Sequence, residues 1–215
     1  MKTVKETILD LLFPPKCAFC GEHGVHGVCA DCEKSLPWCN TPLHERTGIG
    51  TCLAPLRYED AVRESLLRYK FHGGRGNAEG YGKILSQCVA EHFGGEFDLV
   101  TYVPVSEKRR RERGYDQTLL LARETCRAWD ISPVTLLRKT RHTPAQSTLK
   151  TPEERKANVL GVYEAVGTEQ IADARILLID DILTTGATLR ECVRVLREAG
   201  AKSVLCATLA ASDEK

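Results

Sequence analysis

Apolar positions recur along this chain at two alternating periods. Val4, Ile8, Leu11 and Leu12 keep helical spacing until Pro14 and Pro15 stop it. Residues 17–52 then break the pattern with cysteine, glycine and histidine. From Leu53 the regular texture resumes. A short strand is predicted over 53–58, followed by a helix carrying Val62, Leu66 and Leu67 that ends near Lys70, where His72-Gly73-Gly74 interrupts it. A second helix spans 81–93, closed by Gly94 and Gly95. Residues 97–105 read as a buried strand, 118–129 as a helix and 134–137 as a strand. Residues 138–158 are polar and basic and contain Pro144 and Pro152, which predicts a long loop with room for one helical turn. Strands over 159–166, 175–179 and 203–209 follow, the last two separated by an amphipathic helix over 189–199 that Gly200 stops. Strands alternating with helices predict an α/β fold with a mostly parallel sheet.

The chain has 215 residues, 42% hydrophobic and 27% charged, a composition that excludes disorder and fibres. That length suffices for one ordinary domain and a small module, here expected as residues 1–52 and 53–215. No apolar run approaches the roughly 20 residues of a membrane span. Glu6 and Asp10 interrupt the first apolar stretch, unlike a secretory signal, so a cytoplasmic protein is expected.

The net charge of +1 conceals one basic segment. Residues 106–156 carry 13 basic and 7 acidic side chains, a net of +6. A phosphate or polyanion partner and a merely solvated surface are both compatible with such a run. Within it stand Lys108, Arg109, Arg110, Arg111 and Arg113, the last beside Gly114, expected on a loop after the 97–105 strand. Arginine offers a planar fork suited to phosphate oxygens, and Arg113, then Arg109, are the candidates to point inward. The 138–158 loop, with Arg138, Lys139 and Arg141, reads as a lid over a charged ligand or as a solvated insertion. Lys70 and Arg75 flank two glycines, but nothing in the sequence aims them at a site.

Residues 175–189 carry the sharpest chemistry. A hydrophobic strand ends in Asp180 and Asp181; Thr184, Thr185, Gly186, Ala187 and Thr188 form a turn; a helix then opens. Small residues, threonine hydroxyls and a helix N-terminus make a phosphate cradle at the C-terminal end of a strand. The two carboxylates repel phosphate and must face sugar hydroxyls or a hard cation such as Mg²⁺. A phosphorylated ribose satisfies both halves.

Six of the ten cysteines fall in residues 17–52. Cys17-x-x-Cys20 and Cys29-x-x-Cys32 make two knuckles able to bind one structural zinc ion, with a redox dithiol as the alternative. His23 and His26 lie between the knuckles and are expected to face solvent; Cys39 and Cys52 stand singly, so a second zinc site is not expected.

The 175–189 segment resembles the phosphoribosyl pyrophosphate signature of type I phosphoribosyltransferases, two acids followed by Thr-Thr-Gly-Ala-Thr. Residues 70–75, Val103-Pro104-Val105, 109–117 and 141–146 follow an N-terminal Cys-x-x-Cys module in the order seen in ComF proteins. The chain is thereby identified as a member of the ComF family over nearly its whole length. Ser106 stands where the family often has proline, and Asp116 where it often has asparagine; an acid facing the ligand there would weaken anion binding. The resemblance implies a type I phosphoribosyltransferase-like sheet flanked by helices. It implies that Asp180 and Asp181 hold ribose hydroxyls with Mg²⁺, that residues 184–188 grip the 5′-phosphate, and that the turn containing Val105, Ser106, Arg109 and Arg113 receives pyrophosphate. It also implies a role in DNA uptake, natural transformation or recombination, with single-stranded DNA and uptake-machinery proteins as partners. Two other roles stay open with this fold: an active transferase acting on a base or amine, and a phosphoribosyl pyrophosphate-sensing regulator.

Overall fold

The structure is a computed structural model that describes residues 14–143 and 151–212, without the side chains of Pro152, Glu153 and Lys156. The helix predicted over 4–13 lies outside the described residues, as do Pro144 and Gln146 of the 141–146 motif.

Strands β1 (Leu43–Arg46), β2 (Gly50–Leu53), β3 (Leu56–Arg57), β4 (Leu99–Tyr102), β7 (Arg175–Leu183) and β8 (Ser203–Ala211) form one sheet in the order β1-β2-β8-β7-β4, with β3 also on β8. Every pairing is parallel except the β1–β2 hairpin. The predicted α/β class and mostly parallel sheet hold. β1 and part of β2 precede residue 53, so the hairpin at the sheet's edge comes from the cysteine-containing half of the sequence.

β7 is buried on both faces, and its side chains alternate between two cores. Leu177 and Ile179 join one; Ile176, Leu178 and Leu183 join the other. The first core is covered by α2 (Asp60–Phe71), α3 (Asn77–Phe93) and α5 (Gln117–Arg127). The second is covered by α8 (Ala187–Glu198), whose Leu189, Cys192, Val193 and Leu196 form one buried stripe. Beside it lies a two-stranded antiparallel ribbon of β5 (Leu137–Lys139) and β6 (Tyr163–Ala165).

Three expectations change. β7 continues through Asp180 and Asp181 to Leu183, because Asp180 pairs with Thr208 and Ile182 with Ala210 of β8. The basic loop is a helix, α4 (Glu107–Arg113): the Ser106 hydroxyl accepts from the Arg109 N–H, and Gly114 at φ +77° closes it. The end of the 138–158 stretch, instead of a loop, enters an eight-residue helix, α6 (Pro152–Val159), started by a Thr151/Glu154 capping box, which also shortens the strand predicted over 159–166. The two remaining helices are short, α1 (Ala30–Ser35) and α7 (Thr168–Ile171). Among the described residues no helix is long and apolar enough to cross a membrane.

Candidate functional site

Asp180 and Asp181 lie side by side on the C-terminal part of β7. The Asp180 Oδ1 accepts from the Asp181 N–H at 2.8 Å. Asp181 is 6% exposed and both its carboxylate oxygens are engaged: Lys70 Nζ lies 2.8 Å from Oδ1, and Gln117 Nε2 lies 3.5 Å from Oδ2. Burial, and then the charge of Asp181, push the Asp180 carboxyl up to about 8. Two adjacent hard carboxyl groups, one of which already holds a cation, fit a divalent metal such as Mg²⁺ in chemistry, the ammonium of Lys70 standing on Asp181 where positive charge is wanted.

Thr184, Thr185, Gly186, Ala187 and Thr188 line a small hollow together with Asp180, Ile182 and Leu189, so Asp180 and the threonine-rich turn face one space, while Asp181 beside it faces Lys70 and Gln117. Gly186 is required there on two counts. Its φ is +69°, and a Cβ would come within 2.4 Å of Ile49 Cδ1. Ile49 is fully buried in the β1–β2 turn, and Arg190 of α8 donates to the Thr47 carbonyl in the same turn. The hairpin thus braces the back of the threonine-rich turn, a contact between segments about 140 residues apart that no local motif reveals.

A cleft of about 490 Å³ opens beside Asp181, lined by Lys70, Phe71, Lys108, Arg109, Arg113 and His142, with Glu112 the one acid among its described lining residues. Arg109 and Arg113 are four residues apart and share one face of α4. Burial, and then Arg113, lower the pKa of Arg109, and the opposing charges of Glu112 and Asp181 do not offset them. Arg113 Nη1 is buried without a partner, and its guanidinium stacks 5.0 Å from the Phe71 ring. Lys108 lines the cleft, whereas Arg110 does not and pairs with Glu107. The predicted residues Val105 and Ser106 are engaged locally: the Val105 N–H goes to Asp116 Oδ2, and the Ser106 Oγ lies 2.9 Å from His142 Nδ1.

Asp116 caps α5. Besides the Val105 N–H, its carboxylate accepts from the N–H groups of Thr118 and Leu119. Its work is therefore to fix the turn, not to face an anion. The 138–158 segment contributes Lys139, whose pKa is lowered to about 8 by burial and then by Arg109, and whose Nζ lies over the Tyr163 ring. Phe71, Gln117 and His142, to which the sequence gives no individual role, join this region, as do Lys70, which the sequence does not aim at a site, and Lys139 of the segment expected as a lid or a solvated insertion. The glycines of 73–74 drew attention to Lys70, but only the tertiary fold brings it to Asp181.

The four knuckle cysteines converge. The sulfurs of Cys17, Cys20, Cys29 and Cys32 all lie within 4.8 Å of one another, close to the roughly 3.8 Å edge of a tetrahedral four-sulfur zinc site. Backbone N–H groups of Cys29 and Cys32 point at the sulfurs of Cys17 and Cys29. Burial opposes the Cys17 thiolate, yet the N–H groups of Cys29, Cys20 and Phe19 prevail and hold it near 6. This donor set fits structural zinc. His23 and His26 are exposed, and Cys52 is buried in β2 opposite Cys206. Among the described residues this is the one such cluster.

The knuckles are docked on α2 and α3. The Ser65 hydroxyl donates to the Ala18 carbonyl, and Arg68 donates to that of Phe19. Phe19 is buried against the Tyr81 ring, with centroids 5.5 Å apart.

Residues 118–215 match the phosphoribosyl transferase domain family, and residues 8–60 match the double zinc ribbon domain family. The chain is 30% identical over 189 residues to competence protein ComFC of Streptococcus pneumoniae (strain ATCC BAA-255 / R6), covering 87% of this chain and 77% of that protein. It is 29% identical over 203 residues to competence protein ComFC of Bacillus subtilis (strain 168), covering 90% of this chain and 76% of that protein. Among solved structures, glutamine phosphoribosylpyrophosphate amidotransferase from B. subtilis, complexed with ADP and GMP, is similar at 24% identity and a TM-score of 0.45, over 65% of this chain and 30% of that one.

Proposed function

Since this chain belongs to the ComFC family, we propose that it is a phosphoribosyl pyrophosphate-binding, phosphoribosyltransferase-like protein of the cytoplasm that serves DNA uptake in competence. The observation that carries this reading is the juxtaposition of three chemistries: paired carboxylates at Asp180 and Asp181, a threonine-rich turn at 184–188, and a cationic cleft beside them. In this reading the turn holds the 5′-phosphate, and the acids take the ribose hydroxyls. Arg109 and Arg113 supply charge to the pyrophosphate, while Val105 and Ser106, bonded to Asp116 and His142, shape the turn that carries α4. Magnesium, when bound, neutralises diphosphate charge and would be held by Asp180 and Asp181 together with the ligand. Residues 1–52 and 53–215 are proposed as the division between zinc module and ligand-binding domain, with the β1–β2 hairpin of the first segment completing the sheet of the second and the zinc serving structure alone.

Phe71 supports a contact with single-stranded DNA. It is 55% exposed at the rim of the cleft and carries the Arg113 guanidinium, giving the aromatic surface on which a base can stack. Isothermal titration calorimetry with phosphoribosyl pyrophosphate and Mg²⁺ tests the first part; saturable one-site binding is expected, and its absence refutes it. A salt-dependent gel shift with single-stranded DNA tests the second. Release of pyrophosphate on adding candidate amines or bases would identify turnover.

A further inference from the structure

Lys70 belongs to neither motif that defines the site, yet it touches both halves. Its Nζ lies 2.8 Å from Asp181 Oδ1, with the lysine side chain 20% and the aspartate 8% exposed, and Lys70 also lines the cleft with Lys108, Arg109 and Arg113. Its ammonium therefore stands on the border between the carboxylate pair and the cationic cleft.

The chain holds it there firmly. Arg68 is tied to the Phe19 carbonyl, the Tyr69 hydroxyl donates to the Gln117 carbonyl at 2.6 Å, and the Tyr115 hydroxyl donates to the Tyr69 carbonyl. The two residues before Lys70 are thus anchored to the zinc knuckle and to the start of α5. Gln117 is 6% exposed; its Nε2 bonds Asp181, but its Oε1 has no partner, which leaves an unspent acceptor next to the acid pair. A largely buried ion pair adds little net stability once desolvation is counted, so stability alone is a poor reason for it.

We propose that Lys70 is a ligand-binding residue that occupies the cation position of Asp181 in the free protein and turns its ammonium to the diphosphate when metal-bearing ligand enters. This rests on the reading of the cleft as the diphosphate site. A divalent cation arriving alone must compete with a like charge already seated on Asp181. A cation arriving with diphosphate brings the oxygens that accept the displaced ammonium, and the flexible four-carbon stem of lysine allows the short swing. The bare metal is thereby held off, while metal and diphosphate together are favoured.

The test uses the full zinc-loaded chain and two probes, Mn²⁺ alone and inorganic pyrophosphate added with Mn²⁺. Lys70→Met removes the charge and keeps the stem. It should tighten Mn²⁺ binding and weaken pyrophosphate binding, each by at least about fivefold, the lower end of typical site-to-site coupling. Lys70→Arg should restore pyrophosphate affinity. A merely structural role moves both affinities down or neither. Wild-type binding of pyrophosphate with no loss in Lys70→Met, or weaker Mn²⁺ binding in that variant, overturns the assignment while leaving the cleft reading intact. No pyrophosphate binding by the wild type overturns both. Should Lys70→Met fail to fold, Lys70→Gln, whose amide still donates to Asp181, is measured in the same way.

Discussion

Gly80 of α3 and Gly27 of the second zinc knuckle approach so closely that a Cβ at residue 80 would lie 2.8 Å from the Gly27 carbonyl oxygen and 2.9 Å from the Ala18 Cβ. Two residues on, a Cβ at Gly82 would lie 2.5 Å from main-chain and side-chain carbons of Glu124 in α5. One helix therefore uses two glycines to seat the zinc module on one side and α5 on the other, with the fully buried Tyr81 between them.

Gly80→Ala gains about 1 kcal/mol of helix propensity. It must also push back a knuckle whose cysteines are fixed by metal, and overpacking of that kind costs about 1–3 kcal/mol. The expected outcome is a melting temperature lower by a few degrees, at about 2–4 °C per kcal/mol for a chain of this size, with one zinc ion retained. Gly82→Ala should fall further, because main-chain atoms of α5 cannot yield. Differential scanning fluorimetry with zinc quantification checks both; an unchanged or raised melting temperature for Gly82→Ala contradicts the packing described.

Gly186→Ala acts from behind the threonine-rich turn. The added methyl group points at Ile49 and not into the hollow, and the positive φ adds strain. Loss of phosphoribosyl pyrophosphate affinity is expected, and Ile49→Ala in the same chain should recover part of it by vacating the space. A methyl filling the cradle itself would not be rescued from Ile49, so the double variant measured by calorimetry separates the two.

The parts legible in the sequence are those written in contiguous residues. β7, the acids, the threonine turn and α8 follow one another within 175–198, and the knuckles declare themselves by spacing. The Lys70–Asp181 pair spans 111 residues and the Ile49–Gly186 contact spans the sheet, so no local pattern could supply either. α4 was hidden for another reason. Its five cations point to an anion-receiving loop after the 97–105 strand, although Ser106 and Gly114 bracket it with the ordinary start and stop signals of a helix. The same holds for α6, announced by Thr151-x-x-Glu154 inside a stretch dominated by charge.

Asp180 gives the free protein a pH dependence. Its folded-state pKa, about 8, lies above the ordinary carboxylate value near 4, so the folded chain keeps a proton that the unfolded chain has released. That contribution favours the folded state fully below about pH 4 and is lost as pH rises towards 8. Asp180→Asn removes the penalty. Its melting temperature should exceed that of the wild type, by a margin that widens between pH 5 and pH 8 and then levels. A margin that shrinks with rising pH contradicts the assignment. The same proton must leave if a metal is to bind, so Mn²⁺ affinity of the wild type should rise over the same interval.

The central claim is that the acid pair and the threonine turn form one phosphoribosyl pyrophosphate site. Its most direct test is calorimetric titration of phosphoribosyl pyrophosphate with Mg²⁺ into the wild type and into the Asp180→Asn/Asp181→Asn double variant, both with zinc bound and thermal unfolding intact. Binding at one site per chain by the wild type, reduced by at least about a hundredfold in the double variant through loss of two charged hydrogen-bond acceptors, is the predicted result. Equal affinity in the two proteins, or no binding by the wild type, would contradict it.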